Sequence, residues 1–249
     1  MRIIGRLDIK NSNLIKGINL EGLRVLGKPN DFALKYYDEG IDELIFIDSV
    51  ASLYGRNNLY DIIYEASKNI FIPLTVGGGI RTLDDVKKAF NAGADKITVN
   101  TAAVENPNLI NSISEKFGSQ SLVLSVEAKK IKHGCWEVFT NNGREETGIN
   151  VIDWVTNAEV RGIGEILLTS VDMEGTRKGF DYELLQKVTK VVQVPVIASG
   201  GFGSPDHMIK AFSDCSIDAI AIADALHFNR YKVEELKNIA KSNDLNNSK

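Results

Sequence analysis

Cysteine is scarce. The two present, Cys135 and Cys215, are too few for a disulfide framework, and their separation matches no metal-ligand spacing. Both read as packing residues. Positive charge is short as well: 29 Lys and Arg stand against 33 Asp and Glu, for a net charge of -4, and no run of basic residues interrupts the pattern. Such a chain offers no field for holding a polyanionic backbone, so nucleic acid is not an expected partner. Long apolar runs are also missing. Met1-Arg2 leads straight into a short apolar strand that already contains Asp8. Neither a signal peptide nor a membrane span is therefore expected, no membrane partner is implied, and the cytoplasm is the default.

What is present is ordinary globular material, 249 residues with 43% hydrophobic and 25% charged, and it is written twice. Gly40-Ile41-Asp42-Glu43 before Leu44-Ile45-Phe46-Ile47 returns as Gly162-Ile163-Gly164-Glu165 before Ile166-Leu167-Leu168-Thr169. Gly77-Gly78-Gly79 returns as Ser199-Gly200-Gly201, Lys87-Lys88-Ala89-Phe90 as Ile209-Lys210-Ala211-Phe212, and Leu7-Asp8-Ile9-Lys10 as Val126-Glu127-Ala128-Lys129. A duplicated half is the building unit.

Short, nearly continuous apolar runs suit buried parallel strands: residues 3–9, 43–48, 73–77, 96–100, 122–127, 165–170, 195–199 and 219–223. Helix-period segments follow each of them, over residues 30–39, 59–69, 82–92, 106–117, 151–161, 181–191, 205–213 and 233–242. Eight strand-then-helix units in two similar halves predict a closed (β/α)8 barrel rather than an open sheet, whose edges would leave the halves inequivalent. The reading is one domain over residues 1–240 and a polar tail over 241–249.

In such a barrel the C-terminal strand ends carry chemistry. Those ends present Asp8, Asp48, Glu127 and Thr169. Asp8 and Glu127 hold equivalent places in the two halves, so they should face each other across the mouth, where two carboxylates can divide acid and base roles. The plainer alternative pairs them with Lys10 and Lys129 as solvated ion pairs. The glycine turns after the third and seventh strands bring backbone N–H groups close to an anion, and their repetition suggests a ligand with a phosphate at each end. Asn100-Thr101 completes the first of these sites and Ala223-Asp224 the second. A carboxylate at Asp224 is anomalous there, since it would repel a phosphate.

The stretches Leu7-Asp8-Ile9-Lys10, Thr75-Val76-Gly77-Gly78-Gly79-Ile80, Asn100-Thr101-Ala102-Ala103-Val104-Glu105-Asn106-Pro107, Gly164-Glu165-Ile166-Leu167-Leu168-Thr169-Ser170 and Ala198-Ser199-Gly200-Gly201 resemble the cyclase subunit of imidazole glycerol phosphate synthase. The resemblance spans nearly the whole chain. It implies a heterodimer in which a glutamine amidotransferase (glutaminase) hydrolyses glutamine and passes ammonia along the barrel axis. A bisphosphorylated ribulosyl aminoimidazole carboxamide ribotide is then cleaved and cyclised at the rim. Asp8 matches the general acid and Glu127 the base; Lys16 lies in the first loop. Gly79, Asn100 and Thr101 match one phosphate site, and Gly175, Gly201 and Ala223 match parts of the other. Arg2, Glu43, Lys96 and Glu165 correspond to the charged ring that admits ammonia, and Asp95 lies on the expected docking face. No metal or organic cofactor is implied.

Four departures fall on the substrate side. Glu127 and Glu174 each replace an aspartate, Asp224 replaces a serine, and Asn11-Ser12-Asn13 stands where the family carries Asp-Gly-Arg. They raise a second possibility, a paralogue that takes ammonia from a glutaminase to amidate a nucleotide-linked sugar for surface polysaccharide. A non-catalytic scaffold that only activates the glutaminase is a third. A generic sugar-phosphate isomerase explains neither the charge ring nor the paired sites.

Overall fold

A computed structural model describes residues 1–51 and 59–245. Its strands, in chain order, are β1 (Arg2–Lys10), β2 (Asn13–Ile18), β3 (Glu21–Gly27), β4 (Glu43–Asp48), β5 (Leu74–Gly77), β6 (Lys96–Val99), β7 (Leu122–Lys132), β8 (Cys135–Thr140), β9 (Glu145–Asn150), β10 (Glu165–Ser170), β11 (Val196–Ser199) and β12 (Ala219–Ile222). Eight of them, β1, β4, β5, β6, β7, β10, β11 and β12, pair in parallel, and β12 returns to β1 to close the ring. The barrel read from the apolar runs is therefore present, with each run on one of its staves. β1 and β7 stand four strands apart in either direction, on opposite sides.

Alternation along each stave sorts the side chains. On β1, Ile3, Leu7 and Ile9 join the large cluster between barrel and helices. Ile4 belongs instead to an inner cluster with Ile45, Val123, Leu167, Ile197, Ala219 and Ala221, the apolar filling of the barrel. Arg2, Ile4, Arg6 and Asp8 share one parity, so β1 supplies an inward residue at each level from floor to rim.

Two excursions were not legible as apolar runs. Strands β1 and β7 continue past the rim and turn back antiparallel, into β2–β3 and into β8–β9. They extend the duplication, because each half opens with a stave that grows its own hairpin. β3 is mostly exposed and β9 is polar, which hides them from a search for buried apolar strands. The two hairpins meet over the mouth, where Asn142 Nδ2 donates to the Leu20 carbonyl (3.5 Å). Asn19 ties the first hairpin to the stretch after β10, donating through its backbone to Glu174 O (2.8 Å) and through its side chain to Val171 O (2.9 Å).

The helices start where the chemistry of their first turns directs. Thr82 and Asp85 form a reciprocal capping box before the helix Leu83–Asn91, and Asn150 caps Val151–Val160. Pro29 and Pro205 open two others. The last helix, Val233–Ser242, runs two residues into the stretch read as a tail, and Leu245 packs into the core. Residues 246–249 of that stretch lie outside the described residues. No helix among the described residues is long and apolar enough to cross a membrane.

Candidate active site

At the N-terminal end of the barrel, Arg2, Glu43, Lys96 and Glu165 close a ring of alternating sign. Arg2 Nη1 meets Glu43 (2.5 Å) and Nη2 meets Glu165, while Lys96 Nζ reaches Glu43 (3.2 Å) and Glu165 (3.0 Å). Burial opposes the Arg2 charge, but Glu165 and Glu43 outweigh it and hold the guanidinium above its usual range. A surface depression of about 480 Å³, lined by Met1, Arg2, Lys96, Gln120, Glu165 and Asp218 among others, opens onto the ring. Asp95 is exposed on the same end, where its Oδ2 accepts from the Leu74 N–H (2.8 Å). Asp42 and Asp218 make the same bond to Ile3 and Val196, so Asp95 also belongs to a repeated staple of the strand starts.

At the other end the mouth is divided. A cavity of about 290 Å³ is lined by Asp48, Gly79, Asn100, Thr101 and Glu127, with Asn141 and Asn142 from the β8–β9 turn over it. A smaller one, about 20 Å³, is lined by Arg6, Glu174, Gly175, Gly201, Ala223 and Asp224. Asp8, Lys16 and Thr169 line neither. The two glycine turns are built alike. Gly78 and its counterpart Gly200 both hold positive φ, 91° and 92°, and a side chain at either would overlap a carbonyl at the end of the preceding stave, that of Asp48 or of Ser170.

Glu127 is buried at the end of β7. Its Oε2 accepts from the Gly143 N–H (2.8 Å) and from Asn100 Nδ2 (3.0 Å), and among the described residues nothing bonds Oε1. Burial raises its carboxyl to about 7; the Gly143 N–H and Arg6 pull it down, and Asp8 pushes it up again. Asp48 is likewise pushed up by burial, against the N–H groups of Val50 and Ala51. Neither acid pairs with a solvated lysine: Asp8 takes its partner from its own strand, and Lys129 lies over the Phe139 ring.

That partner, Arg6, went unread in the sequence. Its guanidinium is buried, with Nε donating to Asp8 Oδ1 (3.0 Å) and Nη1 to Thr169 Oγ1 (2.9 Å) and Ser199 Oγ (3.1 Å). Burial works against its charge, and Asp8 and Glu174 overcome it. The signal was available in the even spacing of Arg2, Ile4, Arg6 and Asp8 along one strand. Lys16, on β2, ion-pairs with Glu174 beneath the first hairpin. Burial drives the Glu174 carboxyl up, but Lys16 and Arg6 more than reverse it. Asp224 is not bare: Arg177 (3.1 Å) and Arg230 (3.3 Å) both meet its Oδ1. The repulsion expected of this carboxylate is thus answered by two guanidiniums, which sequence spacing did not reveal.

Two buried acids on opposite staves at the strand-end rim, one with a carboxyl near neutrality, and a glycine turn on either side form the candidate site of an enzyme of the (β/α)8 barrel class. The chain belongs to the family of histidine biosynthesis proteins, which matches it over residues 2–232. It is 60% identical to the imidazole glycerol phosphate synthase subunit HisF of Legionella pneumophila over 203 residues, covering 82% of this chain and 96% of that protein. It is 45% identical to the subunit of the same name from Methanocaldococcus jannaschii, with 95% and 94% covered, and 43% identical to that from a Hydrogenobaculum species, with 98% and 97% covered. Each of these relatives is named as one subunit of a larger enzyme.

Proposed function

We propose that this chain is the ammonia-dependent lyase/cyclase subunit of imidazole glycerol phosphate synthase. It takes ammonia from a glutamine amidotransferase and acts on a bisphosphorylated ribulosyl aminoimidazole carboxamide ribotide in histidine biosynthesis. The observation that carries this reading is the shared axis. A charge ring lies at one end of the barrel, Asp8 and Glu127 on opposite staves at the other, and an apolar layer between them.

The layer of Ile4, Ile45, Val123, Leu167 and Ile197 gives the axis its chemistry. A neutral ammonia molecule crosses such a layer at modest cost, whereas ammonium would have to shed its hydration without a partner. The ring at the floor is where a proton is left behind, and the depression around it is where the amidotransferase docks, with Asp95 at its edge. At the rim, Glu127 lines the larger cavity, and its Oε1, which nothing bonds among the described residues, accepts a proton from the substrate. Asp8, anchored by Arg6, serves as the acid. One substrate phosphate sits over Gly79, Asn100 and Thr101, whose hydroxyl is free to donate because it already accepts from the Asn141 N–H (3.1 Å). The other sits over Gly175, Gly201 and Ala223.

Relatives at 43% to 60% identity that share one subunit name favour this reading over the sugar-amidating paralogue and over the scaffold. Purified protein given the ribulosyl bisphosphate and an ammonium salt should consume the substrate; turnover no faster than in buffer overturns the reading. Asp8→Asn separates the scaffold from the enzyme, because a scaffold loses nothing by that change.

A further inference from the structure

Arg6 has no task of its own in this scheme beyond steadying Asp8, and its bonding is incomplete. A guanidinium carries five N–H donors. Three are committed, to Asp8, Thr169 and Ser199, and among the described residues nothing accepts from Nη2. The side chain nevertheless forms part of the wall of the smaller cavity, together with Gly175, Gly201 and Ala223. With the other nitrogens turned to protein acceptors, the Nη2 edge is what Arg6 offers to that cavity.

The electrostatic surroundings favour an anion there. Glu174 and Asp224 stand in the same wall and Asp8 behind it, but Lys16 pairs with the first, Arg177 and Arg230 with the second, and Arg6 itself with the third. Glu127, held near neutrality, also acts on Arg6, so four cations face three paired carboxylates and one that is only partly charged. A buried guanidinium with spare donors is costly to maintain, and the group that satisfies it best is a phosphoryl or carboxylate oxygen. The cavity, at about 20 Å³, has room for one oxygen-sized group and not for a whole phosphate.

We propose that Arg6 is the anion anchor of the second phosphate subsite: one phosphoryl oxygen enters the small cavity and accepts from Arg6 Nη2, while the rest of the phosphate lies over the Gly200-Gly201 turn. Thr169 and Ser199 are positioning residues that hold the guanidinium in this orientation. The inference rests on the cyclase reading for the identity of the substrate, though not for the binding of phosphate.

The test is a titration of the full-length protein with inorganic phosphate, followed by the amide signals of Gly175 and Gly201 for this subsite and of Gly79 and Thr101 for the other. Both sets should respond in the unaltered protein. Arg6→Met should weaken binding at Gly175 and Gly201 by about tenfold or more, the loss of one charge-assisted contact, and leave Gly79 and Thr101 unchanged, which also reports an intact fold. Arg6→Lys keeps a cation beside Asp8 and should fall between the two, and it carries the test alone where Arg6→Met does not fold. Equal affinity at Gly201 in the unaltered protein and the Arg6 variants, or no response there in the unaltered protein, overturns the proposal. Neither outcome depends on turnover, so the cyclase assay can fail while this titration succeeds, and the reverse.

Discussion

At the scale of the residue, the site turns on what burial does to Glu127. Glu127 is held near 7 by desolvation, which places its proton exchange where a base works best at neutral pH. With free ammonia held constant across the series, kcat/KM should rise with pH through about 7, and Glu127→Gln should abolish both the limb and most of the rate. The same shift leaves a mark on folding. A carboxyl whose folded value lies above its ordinary 4.5 contributes stability that is complete below 4.5 and is lost as pH rises through about 7. That loss is about 3 kcal/mol for a shift of this size. Denaturant unfolding at pH 4.5 and pH 8 should show a smaller difference in Glu127→Gln than in the parent by an amount of that order. Asp8→Asn should lower turnover by roughly 10²–10⁴-fold while substrate affinity stays near that of the parent, the pattern of a lost proton donor. Unchanged turnover would return Asp8 to a purely structural role beside Arg6.

Elements differ in how much of themselves they disclose. The eight staves were legible because each is a short apolar run ahead of a helix-period segment, and a buried parallel strand has little freedom to be anything else. The β2–β3 and β8–β9 hairpins were not, since β3 is mostly exposed and β9 is polar, so neither shows the buried apolar run that marks a stave. Lys16, Asn142 and Gly143 all belong to them, so the cover of the mouth was hidden even though the acids beneath it were visible. Arg6 was missed for a different reason: a charged residue in an apolar strand reads as an edge defect until the barrel shows which side of the strand is inside. Arg177 and Arg230 were missed because their partner, Asp224, gathers them from separate loops. The capped helix after β5 provides a test at this scale. Thr82→Ala removes the hydroxyl that accepts from the Asp85 N–H (3.2 Å) and should cost about 1 kcal/mol. In a chain of this length that is roughly 2–4 °C in Tm by calorimetry. No shift would mean that the Asp85 carboxylate caps the helix without help.

The whole molecule joins a floor to a rim through staves drawn from both halves. Glutamine-dependent turnover in the reconstituted pair should be more sensitive to the ring than turnover on free ammonium. Glu165→Gln should depress the first relative to the second, and equal losses would separate the ring from ammonia entry. The connectivity of that ring has a further consequence. Every member has two neighbours of opposite sign, so deleting one corner leaves a three-membered chain in which no survivor is stranded. Only removal of both acids isolates Arg2 and Lys96. Lesions at Glu43 and Glu165 should therefore be mild singly and severe together, a redundancy that makes the floor tolerant of drift one position at a time.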